Sequence, residues 1–441
     1  MQFPYLLLSN ASLAEVKSFL IDNLTSPHNE VTRSLVGQSG FYQREGFIHI
    51  LQSLLEAGIA DADHPNIQLA LRRTCEDWSP ATQEWVSSPL FRSWLHRFIY
   101  QSDETDIIRK SQRFVDEITN YCLDLYHEKD TQITLVSCNG KIELYRPEYL
   151  IRCPVDGLIP VLINGDIIIV GSQDSPFLMI ERSQGSAGIE LSVCYEAQEC
   201  SLVKAPRLPC SRGVVVRNDL NSLRVKLDIT RSPERSSTYT AALVEIVDDY
   251  YPPYSTRYLE SSCRWLVQAW PEEFGDWEIT LQAVVPYKAH QDWMVTGFTI
   301  SSMQGACWVA AGRPIQVLES LVHEQSHVKL RYLEEYIPIL EPEQGTRVFS
   351  VGWRSDPRPL VGIYEGIYVN MHVMEAFRRI LGSCPLSVDA RNEVLMRGRE
   401  LHQQVQEAAK ILFGHGKFTE VGIAYKDWVE RRLGELASLA A

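Results

Sequence analysis

Cysteine is present but never in the spacing that builds a metal or redox site. The ten cysteines include no Cys-x-x-Cys pair, so a cysteine-rich zinc site is not expected. Their scatter through apolar stretches predicts reduced thiols in a reducing compartment. No apolar run approaches the roughly 18–20 residues that span a bilayer. The stretch "MQFPYLLLSNASLAEV" lacks the basic start and long apolar core of a secretory signal. A cytoplasmic protein with no membrane contact is therefore expected. Positive charge is also scarce: 42 Lys and Arg stand against 56 Asp and Glu, for a net charge of −14. Without a basic footprint, nucleic acid is not an expected partner. Internal repeats and low-complexity tracts are missing too. What remains, 45% hydrophobic and 22% charged, is an ordinary globular composition. At 441 residues the chain exceeds what one core serves, so two or three domains are expected.

Three textures follow one another. Residues 1–130 read as a helical region: "SLAEVKSFLIDNL" opens with a Ser12–Glu15 capping-box spacing, and "GFIHILQSLLEAGI", "SPLFRSWLHRFIYQ" and "DIIRKSQRFVDEITNYCLDLYHEK" keep helical periodicity. Residues 131–237 read as β-rich. "TQITLVSCNGKIELY" predicts a hairpin about Asn139-Gly140, "LIPVLINGDIIIVG" another about Asn164-Gly165, and "IELSVCYEA", "GVVVRN" and "LRVKLDI" further strands. "RSPERSS" at 231–237 reads as a linker. Residues 238–441 begin with two helices, "TAALVEIVDDYY" and "YLESSCRWLVQAW", then two strands, "WEITLQAVVPY" and "MVTGFTISS". A helix is predicted from Pro314 to about Tyr336, and three more at 360–381, 387–412 and 418–438.

The Pro314 helix contains His323-Glu324-Gln325-Ser326-His327. Positions four apart share a helix face, so both imidazoles can address one metal ion. Leu318, Leu321, Val322, Val328, Leu330 and Tyr332 give the helix an apolar face, with Glu319, Gln325 and Lys329 facing elsewhere. A third ligand is required. Glu365 is favoured, because the following glycine permits close helix approach, and His372, seven positions on, is the other candidate. Two histidines and a carboxylate admit two chemistries. With zinc they form a gluzincin-type peptidase site in which Glu324 is the general base. With Fe(II) they form a facial triad open to a 2-oxoacid and dioxygen. Between the two helices, Arg354 and Arg358 flank Asp356-Pro357. A guanidinium suits the distal carboxylate of 2-oxoglutarate, while an ion pair with Asp356 that fixes the loop is the simpler role.

"LVHEQSHVKL" followed by "WRSDPRPLVGIYEGIY" resembles the HExxH-motif proteins found with natural-product gene clusters, a family of α-ketoglutarate-dependent peptide β-hydroxylases. The resemblance covers about residues 280–380, and the "WR-x-DPRPL" block is its more specific marker. It implies Fe(II), 2-oxoglutarate as cosubstrate, and a ribosomally made (RiPP) precursor peptide as partner. It matches His323 and His327 to the metal-binding histidines, Glu324 to the motif's acid, and Arg354 and Arg358 to the family's arginines. Glu324 would then orient a neighbouring group rather than act as a hydrolytic base. The implied products are hydroxylated peptide, succinate and carbon dioxide, and the regions before residue 238 would bind the peptide. The expected fold is α+β, a zincin-like C-terminal catalytic core with a helical N-terminal region and a β-rich middle region. The alternative is a zinc metallopeptidase of gluzincin type.

Overall fold

The computed structural model describes residues 29–56, 85–100, 131–217, 219–220, 223, 253–287, 297–335 and 338–439, less 173, 186–187, 198, 343, 345–346 and 355, with helical positions 67, 70, 74, 113, 115–118 and 120. The architecture is mixed α+β, with sheets in the middle of the chain and helices at its C-terminal end. Among the described residues no helix is long and apolar enough to cross a membrane.

Two N-terminal helices, α1 (Asn29–Glu56) and α2 (Pro89–Tyr100), bring Phe47, Phe91 and Trp94 together with Trp85, just before α2, into one aromatic cluster, with ring centroids 4.7–6.1 Å apart. The predicted helices at 12–24 and 240–251, the linker at 231–237, the strand at 223–229 beyond Leu223, and most of the helix at 106–129 lie outside the described residues.

Next come β1 (Thr131–Ser137), β2 (Lys141–Glu143), β3 (Tyr149–Arg152), β4 (Gly157–Asn164), β5 (Ile167–Ser172), β6 (Ser175–Gly185), β7 (Gly188–Glu196) and β8 (Ser201–Lys204). The Asn139-Gly140 turn forms as expected, both residues at positive φ (53° and 69°), which favours Asn and Gly. Its strands do not form the expected hairpin, however. Beyond the Cys138–Lys141 bridge, β1 pairs with β4 and β2 pairs with β3, in different sheets. The turn is a local preference, whereas strand partners are chosen by burial. The second hairpin, β4–β5, closes through Gly165 and Asp166, with Gly165 at φ 63°. These strands build a five-stranded antiparallel sheet, β1-β4-β5-β6-β7, and a three-stranded one, β2-β3-β8.

A third sheet, ordered β11-β12-β10-β9, joins the two halves of the chain. It comprises β9 (Val215–Val216), β10 (Ala283–Tyr287), β11 (Gly297–Thr299) and β12 (Ala306–Ala310). β10 runs parallel to β9 and β12, and β11 is an antiparallel edge strand. Alternation of side chains divides two cores. Val284, Cys307 and Val309 face the C-terminal helices, while Val285, Tyr287, Trp308 and Ala310 face the core of the N-terminal helices and β-region. "WEIT" is a correction to the sequence reading. Trp277–Thr280 end α4 (Pro271–Thr280) rather than starting a strand. Pro271 in the first turn and the acids Glu272 and Glu273 beside the helix N-terminus outweigh the β-propensity of these residues.

The C-terminal core packs α3 (Pro253–Ala269), α4, α5 (Pro314–Glu334), α6 (Leu360–Ser383), α7 (Val388–His415) and α8 (Glu420–Glu435). Ser387 and Thr419 cap α7 and α8 by accepting from Ala390 N (3.2 Å) and Gly422 N (3.0 Å). A short hairpin, β13 (Val348–Phe349) with β14 (Arg358–Pro359), carries the loop between α5 and α6. Gln325 and Lys329 turn away from the apolar face of α5, but into a second buried face, with 0% and 2% of their surface exposed.

Glu375 locks α6 to α8. It accepts from Arg378 (2.7 and 2.8 Å) and Arg379 (2.6 Å) and pairs with Arg432 (2.8 Å). Burial alone would raise this carboxyl, but the arginines outweigh it and hold it down at about 2 against an ordinary 4.5. A depressed carboxylate stabilises the fold fully above its unfolded value, and loses that contribution as pH falls toward the folded one. Glu375 is therefore expected to contribute about 3 kcal/mol at neutral pH that disappears between about pH 4.5 and pH 2. Urea unfolding across that range should show a shallower acid loss in Glu375→Gln; an unchanged slope would remove the assignment.

Candidate metal site

Pro314 starts α5, and 21 helical residues carry the motif beneath the central sheet. His323 and His327 lie one turn apart with ring centroids 5.0 Å apart. Both are partly exposed, whereas Glu324, Gln325 and Ser326 between them are buried. Burial, with Arg397 and Arg354 nearby, pushes His323 down to about 4, against a hydrogen bond to Asn370 that opposes the shift. Burial, then His323, Arg331, Arg358 and Arg354, hold His327 well below its ordinary value. Both rings are thus uncharged at neutral pH, the state in which imidazole donates a lone pair to a metal. Glu324 is pushed up to about 8 by burial, with Arg354 opposing. Its carboxyl lies against the edge strand: a Cβ on Gly297 would stand 2.7 Å from Glu324 Cγ and 2.8 Å from its Oε1. Only glycine leaves room for it there.

Arg354 and Arg358 share Asp356, at 3.1 and 3.7 Å. The loop-fixing role considered for them is therefore present, while both also act on His327. Arg397 is bound to Glu319 (2.8 Å) and Glu400 (2.7 Å). Arg331 differs. It sits one turn beyond His327 on the same face of α5, its Nε is buried without a hydrogen-bond partner, and it makes no ion pair among the described residues. Sequence reasoning missed Arg331, although a spacing of four from His327 signals it.

Glu365 lies with Arg331, Arg358 and Glu334. Burial raises its carboxyl against the pull of the two arginines, and burial and the Glu365 charge push Glu334 up to about 8. Among the described residues no third His, Cys, Asp or Glu joins the histidines as a set able to hold a metal. His372 is placed in an aromatic box, with Tyr368 and Trp428 rings at 4.3 and 6.2 Å and its Nδ1 3.0 Å from Tyr368 O. Burial first, then Lys329, pushes it down to about 3. The α6 residue that does reach the pair is Asn370, which the sequence reading overlooked. Gly362, Gly366 and Asn370 recur every four residues on one side of α6, with Gly362 against Arg358. Gly366 does permit a close approach, but of the Trp353 indole, whose Cζ2 would lie 2.6 Å from an added Cβ.

The donor set fits a metal in part. Two uncharged imidazoles supply two positions, and the surrounding arginines make the site attractive to an anion bound with the metal. No protein-family model matches the chain, and no curated protein matches it.

Proposed function

We propose that this chain is an Fe(II)- and 2-oxoglutarate-dependent dioxygenase that hydroxylates side-chain β-carbons of a ribosomally made peptide, on a zincin-like catalytic core. The observation that carries the reading is the charge of the site. Two neutral histidines stand among Arg331, Arg354 and Arg358, with Glu365 and Glu334 on the Arg331 side. A dication there calls for an anionic chelator, and a 2-oxoacid brings two negative charges. His323 and His327 would hold the metal, with Asn370 fixing the His323 ring. When bound, Fe(II) with the oxoacid would supply the reduction of dioxygen, the oxoacid leaving as succinate and carbon dioxide while one oxygen enters a peptide C–H bond. Arg331 would take the far carboxylate, because one helical turn spans about 5.4 Å, close to the reach of a five-carbon diacid. Arg354 and Arg358 hold their own loop through Asp356. Glu324, wedged against Gly297, orients what binds beside the histidines. β11 ends its sheet, so an extended peptide can add alongside. The buried cysteines Cys153, Cys200, Cys263, Cys307 and Cys384 form no disulfide, which suits the cytoplasmic location proposed with this activity.

A zinc metallopeptidase of gluzincin type is the second reading, favoured by the Glu324 carboxyl. Pushed up to about 8, it would accept a proton from water near neutral pH.

Anaerobic reconstitution with Fe(II) and titration with 2-oxoglutarate decides between them. A visible charge-transfer band requiring both components is expected. Arg331→Gln should keep Fe(II) yet need at least about tenfold more 2-oxoglutarate, the loss of a charge-assisted contact worth roughly 1.5–3 kcal/mol. Unchanged titration in Arg331→Gln would remove its role. Retained zinc with hydrolysis of a peptide pool would establish the peptidase instead.

A further inference from the structure

The five-stranded sheet β1-β4-β5-β6-β7 has one face more than the core uses. Its inner face, including Ile133, Leu135, Ile163, Ile168, Leu178 and Ile180, is buried in the core it shares with β2, β3 and the N-terminal helices. On the outer face, register aligns Leu162, Ile169, Met179 and Tyr195 in a single row across four strands. Val136 pairs with Leu158 beside it, and Ile167 lies in the next row. None of these residues joins either core. Leu158 and Tyr195 are 57% and 47% exposed, and the others are partly exposed. This is why "LIPVLINGDIIIVG" is nearly continuous in apolar residues. Antiparallel sheets with one solvated face normally alternate, and continuous runs belong to strands covered on both sides. Here no described residue of either core covers the other side.

The charges on this face have one sign. Glu181 pairs across to Ser192, Glu190 to Ser183, and Asp166 sits in the β4–β5 turn at the same end. None of the three makes an ion pair among the described residues, and no lysine or arginine shares the outer face with them. The surface is an apolar stripe with an acidic end.

We infer that the outer face of this sheet docks a basic amphipathic helical segment of another polypeptide, its apolar stripe on Leu162, Ile169, Met179 and Tyr195 and its lysines or arginines at Glu181, Glu190 and Asp166. Helices are the usual cover for an apolar sheet face. The row spans three strand spacings, about 14 Å, which a helix of about ten residues covers at 1.5 Å each. A second copy of the chain fits poorly, because stacking two such faces sets carboxylate against carboxylate or buries carboxylates on apolar side chains. The inference stands independently of the activity proposed above.

The test uses the full-length chain and two labelled synthetic helix-forming peptides, one amphipathic in leucine and lysine and the other in leucine and glutamate, followed by fluorescence anisotropy. The net charge of −14 attracts any cation, so the variants carry the decision. The lysine peptide should bind and weaken with added salt. It should bind at least about tenfold more weakly, roughly 1.4 kcal/mol, to Ile169→Ser/Met179→Ser and to Glu181→Lys/Glu190→Lys. The second variant should gain affinity for the glutamate peptide. All of these side chains point outward, so near-UV circular dichroism should match the parent; should the serine pair misfold, the charge pair still decides. Absence of binding, or equal affinity in parent and variants, overturns the inference. So does a concentration-dependent dimer in sedimentation that Ile169→Ser abolishes, since the occupant would then be a second copy.

Discussion

Lys329→Met should destabilise the protein by about 3–5 kcal/mol, the cost of breaking a buried ion pair from one side. Lys329 lies on the face of α5 turned away from the histidines, 2% exposed. Its ammonium bonds to Asp276 and stands 3.5 Å from Glu273, both carboxyls being fully buried on α4. Burial would drive the proton off Lys329, but Glu273 and Asp276 outweigh it and push the amine above its ordinary range. Neither Glu273 oxygen has a hydrogen-bond partner, so Lys329 is what offsets its charge. Thr32 on α1 donates to Asp276 at 2.9 Å, and the same cluster therefore ties the N-terminal helix to the one that carries the histidine pair. The urea midpoint of the variant should fall sharply, and adding Glu273→Gln and Asp276→Asn should recover much of the loss, because no charge is then left unpaired. A single variant as stable as the parent would show that Lys329 does not compensate the two carboxyls.

Replacing His327 with alanine should reduce bound Fe(II) to a trace and turnover by more than the roughly 10–100-fold that loss of an outer partner costs. The same holds for His323→Ala. Asn370→Ala should fall within that smaller range, because Asn370 reaches the site only through the His323 ring. The ordering is the informative part. His323 and His327 are partly exposed, while the residues between them make the core contacts, so stability should change little and the loss is read as a binding effect. Metal analysis after gel filtration, with anaerobic calorimetry of Fe(II) binding, measures it. Full metal occupancy in His327→Ala would remove the pair as the metal site and, with it, both proposed activities.

Helices α5 to α8 were legible because each is specified locally. Pro314 opens α5, Ser387 and Thr419 cap α7 and α8, and apolar residues repeat at helical spacing through α6. The histidine pair was legible for the same reason, a spacing of four on one helix. Less of the rest was written in any short window. The Asn139-Gly140 turn formed, but its strands took partners in different sheets. "WEIT" carried strand-forming residues, yet the helix begun at Pro271 ran through it. Glu365 read as a ligand because of its neighbouring glycine; that glycine accommodates Trp353, and Asn370, a polar residue without a motif, bonds to His323.

The sequence by itself determined helices α5 to α8, the histidine pair on α5 and the apolar character of the five-stranded sheet, because periodicity, caps and turn residues act over a few positions. Only the tertiary structure decided that Lys329 is buried, since its carboxyl partners lie more than 50 residues earlier on α4. It alone decided that Asp356 takes up Arg354 and Arg358 while Arg331 has no ion pair among the described residues. Charge pairing depends on which side chains converge within about 4 Å, and that convergence follows from packing the whole chain.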